Sequence, residues 1–100
     1  MKLGINTMTA LIIVDLTPIN KDKLTAYSAE AAKTLIAYDG EFLAKGPIDP
    51  LHGESAFTTK VIIQFPSKEN AVNWYNSPEY QAVIPLREEG MKSQFHLIAH

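Results

Sequence analysis

The sequence predicts an α+β fold in which strands and helices follow one another in the order β-α-β-β-α-β. Three observations lead to this prediction. Apolar, largely β-branched runs recur at residues 11–14, 57–65 and 94–98, with a shorter one at 42–44. The segments between them repeat their apolar residues at helical spacing. Capping or helix-stopping residues separate one segment from the next. A chain of 100 residues allows one domain with a modest core.

The first half of the chain predicts a buried strand followed by an amphipathic helix. The run over residues 11–14 is continuously apolar, which is typical of a strand buried on both faces, and a turn is expected over 15–18. Asn20 or a neighbour is expected to cap the helix. The apolar helix stripe is formed by Leu24, Tyr27, Ala31, Leu35 and Tyr38. Gly40 is expected to end the helix in the left-handed conformation.

The second half repeats this alternation after a loop over residues 48–56. Ser67, next to a proline, is expected to cap a second helix. Ser77 and Pro78 are typical of a further helix start, because proline fits the first helical position. The helix is expected to run to about residue 89, with Pro85 kinking it or starting a new turn. The last strand closes the order, which is that of a ferredoxin-like, four-stranded antiparallel sheet with helices on one face.

Composition and charge exclude several classes of protein. The net charge of -2 and the presence of a single arginine argue against a nucleic-acid or anionic membrane partner. No apolar run is long enough to span a bilayer. The chain has no cysteine, which fits a reducing, cytoplasmic location. Its three histidines do not cluster with other ligands, so no metal and no cofactor such as haem is expected.

The domain is expected to span residues 8–100. Residues 1–7 lack the apolar segment of a secretory signal, and Met8 immediately precedes the first strand-like run. We therefore interpret residues 1–7 as an N-terminal leader or extension without a functional role.

The uncovered face of the sheet is expected to be apolar. The first strand offers Leu11 and Ile13 on one side and Ile12 and Val14 on the other, yet the helices cover only one side. An apolar surface of this kind favours a partner. A homodimer joined through the sheet faces, forming a dimeric α/β barrel, is the preferred prediction. A monomer with a half-exposed sheet is the alternative.

Four blocks of sequence carry a family resemblance. They are Ile12-Ile13-Val14-Asp15, then Tyr38-Asp39-Gly40-Glu41-Phe42-Leu43-Ala44-Lys45-Gly46, then Phe65-Pro66-Ser67, and finally Trp74-Tyr75-Asn76-Ser77-Pro78-Glu79-Tyr80-Gln81 followed by Leu86-Arg87. Together they resemble domain-of-unknown-function family 1330 within the dimeric α/β-barrel superfamily. The last block is the most specific. Asp39 and Glu41 depart from the glycine and arginine that are more usual in the family, which removes a positive charge.

The resemblance implies the fold and the dimer but little about activity. Proteins with the same barrel include quinone-forming monooxygenases, muconolactone isomerases, haem enzymes and ligand-binding domains. Because one fold hosts many functions, none of these activities follows for this chain.

Candidate ligand-binding residues gather around the helix restart. Trp74, Tyr75 and Tyr80, together with Tyr27 from the first helix, would line an aromatic pocket for a small molecule. The alternative is that these rings only pack in the core. Arg87 would clamp a carboxylate through its planar guanidinium, or else would form an ordinary surface ion pair.

Asp15 and His52 are the candidate catalytic residues. Asp15 shares a strand face with two apolar residues, so its carboxylate would act as a general base in apolar surroundings. The alternative for Asp15 is a role in capping a turn. His52 lies in the loop after the second strand, and histidine exchanges a proton near neutral pH.

Taken together, the residues predict a small dimeric protein that binds an aromatic or carboxylated organic molecule. Any chemistry would be cofactor-free acid–base or oxygen chemistry. The alternative is a non-catalytic dimeric interaction or structural module.

Overall fold

The computed structural model describes residues 9–99 as an α+β fold. Its elements are β1 (Ala10–Pro18), α1 (Lys21–Leu35), a short 3-10 turn (Ile36–Tyr38), β2 (Glu41–Pro47), β3 (Thr59–Phe65), α2 (Lys68–Tyr75), α3 (Pro78–Gln81), α4 (Ile84–Gly90) and β4 (Met91–Ala99). The proposed leader over 1–7, Met8 and His100 lie outside the described residues. No helix within residues 9–99 is both long and apolar enough to cross a membrane.

The four strands form one antiparallel sheet in the order β2-β3-β1-β4. The predicted ferredoxin-like arrangement is therefore confirmed. β1 occupies a central position, where Ile13 lies opposite Ile62 of β3 and His96 of β4. Contacts of α1 with α4, and of α2 with β1, β3 and β4, show that the helices pack together against the sheet.

The strand β1 is longer than the sequence pattern predicts. The turn expected over residues 15–18 is wrong, because the strand continues through Pro18. Asp15 lies in mid-strand, opposite Lys60 and Gln94. Neighbours on both sides pair with the backbone of β1, and this pairing outweighs the turn preference of a single aspartate. The last strand is likewise longer than predicted and begins at Met91.

Three predicted helix caps are confirmed. The side chain of Asn20 accepts a hydrogen bond from the Lys23 amide at 3.1 Å. Ser67 accepts one from the Asn70 amide at 3.0 Å. Ser77 accepts one from the Tyr80 amide at 3.1 Å, with Pro78 at the first helical position. Each cap satisfies an amide that has no partner within its helix.

The end of the first helix differs from the prediction in one respect. The left-handed residue is Asp39, with φ of 59°, whereas Gly40 does not have a positive φ. Gly40 is needed for a different reason. A Cβ atom there would lie 2.6 Å from Phe65 Cε2 and 2.9 Å from Leu35 Cδ2. The glycine therefore lets the chain pass close beneath the aromatic core.

Pro85 interrupts the helical segment after Ser77, as the sequence predicts. It lies near the start of α4, and the chain between α3 and α4 is not helical. Because proline lacks an amide hydrogen, a helix start accommodates it where a continuous helix would lose a hydrogen bond.

The two faces of the sheet differ in burial. On the helix-covered face, Ile12 and Val14 of β1 and Ile63 of β3 are between 3 and 5 % exposed. On the other face, Ile13 is half-buried and Ile98 is 49% exposed. The core therefore lies between the sheet and the helices, and the second sheet face is left open in the single chain.

Candidate functional site

A cavity of about 440 Å³ lies between the helix-covered face of the sheet and α1. Its walls come from β1, β2, β3 and α1, and Trp74, Met91 and Phe95 complete the lining. The strand wall includes Val14, Leu16, Val61 and Ile63, and the helix wall includes Leu24, Tyr27, Ala31 and Leu35. These side chains are almost all apolar, which is typical of a site for a small organic molecule.

A few polar groups line this otherwise apolar cavity. Lys45 of β2 is exposed, and no described carboxylate lies within ion-pair distance of its ammonium group. Ser28 of α1 is half-buried, and its hydroxyl has no hydrogen-bond partner among residues 9–99. The hydroxyl of Thr59 lies 3.3 Å from that of Thr58. Lys45 and Ser28 are therefore free to interact with a ligand.

A β-bulge places Lys45 at the cavity. Phe42 faces Ile63 on the helix-covered side of the sheet, and simple alternation would turn Lys45 to the other side. The register shifts between Phe42 and Ala44, so that Lys45 pairs with Val61, another cavity-lining residue. The extra residue thus reverses the orientation of Lys45. Sequence alternation alone could not predict that Lys45 lines the cavity, although Phe42 and Lys45 both belong to the family-like block that begins at Tyr38.

Trp74 is the most deeply buried of the aromatic residues that line the cavity. It is 1% exposed, and its indole N–H donates a hydrogen bond to Thr34 Oγ1 at 2.8 Å. Its ring centroid lies 5.5 Å from that of Phe65 and 4.2 Å from that of Tyr80. The indole is therefore held in one orientation by packing and by a hydrogen bond.

Behind the cavity, three tyrosines and the only arginine form a hydrogen-bonded cluster. The hydroxyls of Tyr27 and Tyr80 lie 2.7 Å apart. The Arg87 Nη1 donates to the Tyr75 hydroxyl at 3.0 Å and to the Tyr80 hydroxyl at 3.1 Å. The cluster therefore runs from α1, through α3, to α4 and the end of α2.

The charge of Arg87 is accommodated by aromatic rings and one carboxylate. Its guanidinium carbon lies 4.8 Å from the centroid of the Phe95 ring. Its Nε donates to Glu88 Oε2 at 3.1 Å. This arrangement combines a cation–π contact with charge-assisted hydrogen bonds. Arg87 does not line the 440 Å³ cavity, so it would act on a ligand there through the tyrosines.

Burial shifts the ionisation of this cluster. Burial, followed by the neighbouring Tyr80, raises the pKa of Tyr27 well above its ordinary value. Burial also raises the pKa of Tyr80, although its hydrogen bonds with Tyr27 and Arg87 oppose the shift. Burial disfavours the charge on Arg87, but hydrogen bonds to Tyr75 and Tyr80 outweigh it and raise the pKa. Tyr27 and Tyr80 are therefore neutral and Arg87 is charged at neutral pH.

A second, shallower cavity of about 340 Å³ lies between α2 and the β1–β4 edge of the covered face. It is lined by Ile12, Ala71, Val72, Tyr75, Asn76, Phe95, His96 and Leu97. Two of these lining residues, Tyr75 and Phe95, also contact the Arg87 guanidinium.

Asp15 and His52, the predicted catalytic residues, lie apart from the aromatic cluster. Asp15 points to the open face of the sheet, where its Oδ1 lies 3.2 Å from Lys60 Nζ. Apart from this ammonium, the buried Oδ1 has no partner among residues 9–99. His52 is exposed in the loop between β2 and β3. The structure thus brings Tyr27, Trp74, Tyr75, Tyr80 and Arg87 together, but not Asp15 or His52.

The fold and the cavity define a small ferredoxin-like protein with an internal apolar site. The family model described as "Domain of unknown function (DUF1330)" matches residues 9–100, and the chain belongs to this family. The resemblance noted in the sequence is thereby confirmed. No curated protein matches the chain.

Solved structures of other proteins share the fold. A protein of unknown function from Rhodopseudomonas palustris aligns with a TM-score of 0.76 and 13% identity, over 93% of this chain and 82% of its own. A dimeric ferredoxin-like protein of unknown function from Thermobifida fusca aligns with a TM-score of 0.66 and 12% identity, over 99% and 97%. SnoaB, a cofactor-independent oxygenase from Streptomyces nogalater, aligns with a TM-score of 0.65 and 10% identity, over 93% and 92%.

Proposed function

We propose that this protein is a homodimer that binds one small organic molecule per subunit in the cavity between the sheet and α1. The observation that carries the proposal is the cavity itself, which has a volume of about 440 Å³ and mostly apolar walls. Burying apolar ligand surface in such a site is favourable by roughly 25 cal/mol per Å². The bound molecule is therefore expected to be mainly apolar.

The lining residues further restrict the ligand. Trp74, Tyr27 and Phe42 offer ring surfaces, which favours an aromatic body. Lys45 offers a positive charge without a competing carboxylate among the described residues, which favours a carboxylate or another anionic oxygen. An aromatic carboxylate meets both requirements, and Lys45 rather than Arg87 would then contact the anion directly.

The proposed dimer would cover the open sheet face. Leu11, Ile13 and Ile62 on this face are only half-buried in the single chain, and Ile98 is 49% exposed. A second copy presents the same apolar surface and would bury it in an isologous contact. Similar structures from Thermobifida fusca, Jannaschia and Bacteroides fragilis are described as dimeric, which supports this choice of partner.

Cofactor-free oxygen or acid–base chemistry is the second candidate function. It is favoured by the similarity in fold to the oxygenase SnoaB. For a ligand in the cavity, Tyr27 is the polar member of the buried cluster within reach. Asp15 would serve as a base only for a molecule held at the open face, and His52 only for one held by its loop. Oxygen uptake with 1,4-dihydroxynaphthalene, above its uncatalysed rate, is the corresponding assay.

The rival proposal is a non-catalytic interaction module, in which the aromatic residues only pack and the sheet only dimerises. Native mass spectrometry and a titration with 2-naphthoate distinguish the two. The single indole N–H of Trp74 gives one ¹⁵N–¹H cross-peak at the cavity wall. A dimer whose indole signal shifts saturably supports ligand binding. A dimer whose indole signal is unmoved by 2-naphthoate and by uncharged naphthalenes supports the module instead.

A further inference from the structure

The cluster behind the cavity has a hydrogen-bond direction that can be worked out by counting protons. Each tyrosine hydroxyl carries one donor hydrogen and can accept further hydrogen bonds, whereas a guanidinium only donates. Arg87 therefore donates to the oxygens of Tyr75 and Tyr80. The hydroxyl hydrogen of Tyr80 must then find a different acceptor.

The Tyr27 oxygen is the acceptor that the described residues offer to this hydrogen. The two hydroxyls are 2.7 Å apart, and Tyr80 is 0% exposed, so bulk water cannot serve in its place. If Tyr27 donated to Tyr80 instead, the Tyr80 hydrogen would be buried without any acceptor, which folded proteins rarely tolerate. While both groups are neutral, Tyr80 therefore donates to Tyr27.

This direction leaves the hydrogen of Tyr27 unused. None of residues 9–99 is positioned to accept it, yet Tyr27 is only 7% exposed and lines the large cavity. We propose that the Tyr27 hydroxyl donates a hydrogen bond to an oxygen atom of the ligand in the cavity, with Tyr80 and Arg87 as positioning residues. This inference rests on the proposed binding function and specifies the ligand class as one with an acceptor oxygen, such as an aromatic ketone or carboxylate.

The electrostatics of the cluster favour Tyr27 as a donor. The positive charge of Arg87 draws electron density from the Tyr80 oxygen, and a chain of hydrogen bonds passes this polarisation on to Tyr27. Burial and the neighbouring Tyr80 raise the pKa of Tyr27, so its hydrogen is retained at all ordinary pH values. The site is therefore suited to stabilising negative charge on a ligand oxygen rather than to removing a proton from the ligand.

The test uses two naphthalenes of the same shape, 2-acetylnaphthalene and 2-isopropenylnaphthalene, which differ only in a carbonyl oxygen replaced by a CH₂ group. Dissociation constants come from the Trp74 indole cross-peak, since Trp74 is the only tryptophan and lines the cavity. In Tyr27→Phe, the affinity for the ketone relative to the alkene is expected to fall about 3- to 10-fold, as expected for the loss of one neutral hydrogen bond. The carbonyl stretching frequency of bound ketone is lowered in the wild type and returns toward its unbonded value in Tyr27→Phe.

Two further variants keep this test decisive. Tyr80→Phe keeps the Tyr27 hydroxyl but removes the neighbour that polarises it, so the carbonyl frequency is expected to stay lowered, by less than in the wild type. The double variant with Phe at both positions removes donor and acceptor together, which avoids leaving a buried hydroxyl unpaired. It should fold and should behave like Tyr27→Phe. If the two tyrosines had a purely structural role, Tyr27→Phe and Tyr80→Phe would change the affinities for both naphthalenes by the same factor.

The outcomes separate this inference from the function on which it rests. If both naphthalenes bind and the carbonyl frequency is the same in wild type and Tyr27→Phe, the hydrogen bond is refuted while ligand binding stands. If neither naphthalene moves the indole signal, the proposed binding function fails, and the inference fails with it.

Discussion

The hydroxyl groups of Tyr27 and Tyr80 lie 2.7 Å apart, although the two residues are 53 positions apart in the chain. Their rings meet edge to face, with centroids 6.3 Å apart. The pair joins α1 to α3 at the back of the cavity, where both side chains are buried. The same contact therefore contributes to packing, to ionisation and to the proposed ligand site.

The first prediction concerns stability at alkaline pH. Burial raises the pKa of both Tyr27 and Tyr80 above the ordinary tyrosine value of about 10. Below this pH both tyrosines are neutral in the folded and in the unfolded chain, so their full contribution to the free energy of unfolding is present. Above it, the unfolded chain loses protons that the folded chain retains, so the free energy of unfolding falls. Each tyrosine contributes a slope of up to about 1.4 kcal/mol per pH unit. Urea unfolding between pH 8 and roughly 11.5 measures the slope.

The control for the alkaline slope is the double variant Tyr27→Phe/Tyr80→Phe. It lacks both titrating groups and should show a slope reduced by these two contributions. Tyr38→Phe is a second control, because Tyr38 is only partly buried and lies outside the cluster. An unchanged slope in the double variant would show that the buried pair does not control alkaline unfolding.

Arg87→Met is predicted to destabilise the fold by about 2–3 kcal/mol. The substitution removes charge-assisted hydrogen bonds to Tyr75 and Tyr80 and a cation–π contact with Phe95, while keeping an apolar stem. The side chain of Arg87 is 11% exposed, so water replaces these contacts poorly. Chemical denaturation monitored by circular dichroism measures the loss.

A matched change at the surface is the control for Arg87→Met. Lys23 pairs with Glu89 at 3.2 Å, but their side chains are 49% and 60% exposed. Lys23→Met should therefore alter the free energy of unfolding by no more than about 1 kcal/mol. Equal losses in the two variants would mean that the guanidinium cluster adds no more stability than an exposed ion pair.

Gly90→Ala is predicted to cost about 1–3 kcal/mol through overpacking. A Cβ atom at Gly90 would lie 2.8 Å from the backbone nitrogen of Leu24. A backbone atom cannot move away by a change of rotamer, so the helix itself would have to shift. The Gly90 carbonyl also accepts from the amides of Ile19 and Asn20 at 2.9 and 3.1 Å, which fixes α4 against the start of α1. Gly46→Ala is the control, since a Cβ there meets nothing within 4 Å. Thermal unfolding of both variants is the measurement, and similar midpoints would contradict the close approach.

The fold was largely predictable from local patterns, because caps and strand alternation act over a few residues. Ser77 and Pro78 identified a helix start from sequence alone, and the structure confirms it. The site was only partly predictable. Tyr27 and Tyr80 were candidates by residue type, but their contact depends on how α1 and α3 pack. Lys45 was not among the predicted site residues. A β-bulge that no local pattern in β2 reveals turns its side chain to the helix-covered face of the sheet.

Ile13→Lys is predicted to convert the proposed dimer into a folded monomer. Ile13 lies at the centre of the open face, opposite Ile62 and His96 on the neighbouring strands. Each copy would bury an ammonium in the proposed interface, where Asp15, the carboxylate on the same face of β1, is already paired with Lys60. The helix-covered core is untouched, so the monomer should keep its circular dichroism spectrum. Light scattering after size-exclusion chromatography gives the mass.

The control for the dimer variant is Leu51→Lys. Leu51 is 97% exposed in the loop between β2 and β3, away from the sheet face. This variant should have the same oligomeric state as the wild type. If Ile13→Lys is still a dimer at low micromolar concentration, the two copies meet through some other surface.

Lys45→Gln is predicted to weaken the binding of 2-naphthoate about 2- to 5-fold at low salt, the range expected for an exposed ion pair. The ammonium of Lys45 is the cationic group among the lining residues, and no described carboxylate neutralises it. The difference should nearly vanish at about 1 M salt, where the Debye length falls to about 3 Å. Binding of uncharged 2-acetylnaphthalene should be unaltered at either salt concentration, because the apolar walls and Tyr27 remain. Lys68→Gln, at the start of α2 and outside the cavity lining, should bind 2-naphthoate like the wild type. If Lys45→Gln weakened the binding of 2-naphthoate and of 2-acetylnaphthalene equally, the substitution would have changed the shape of the cavity. The reason to expect a carboxylated ligand would then be lost.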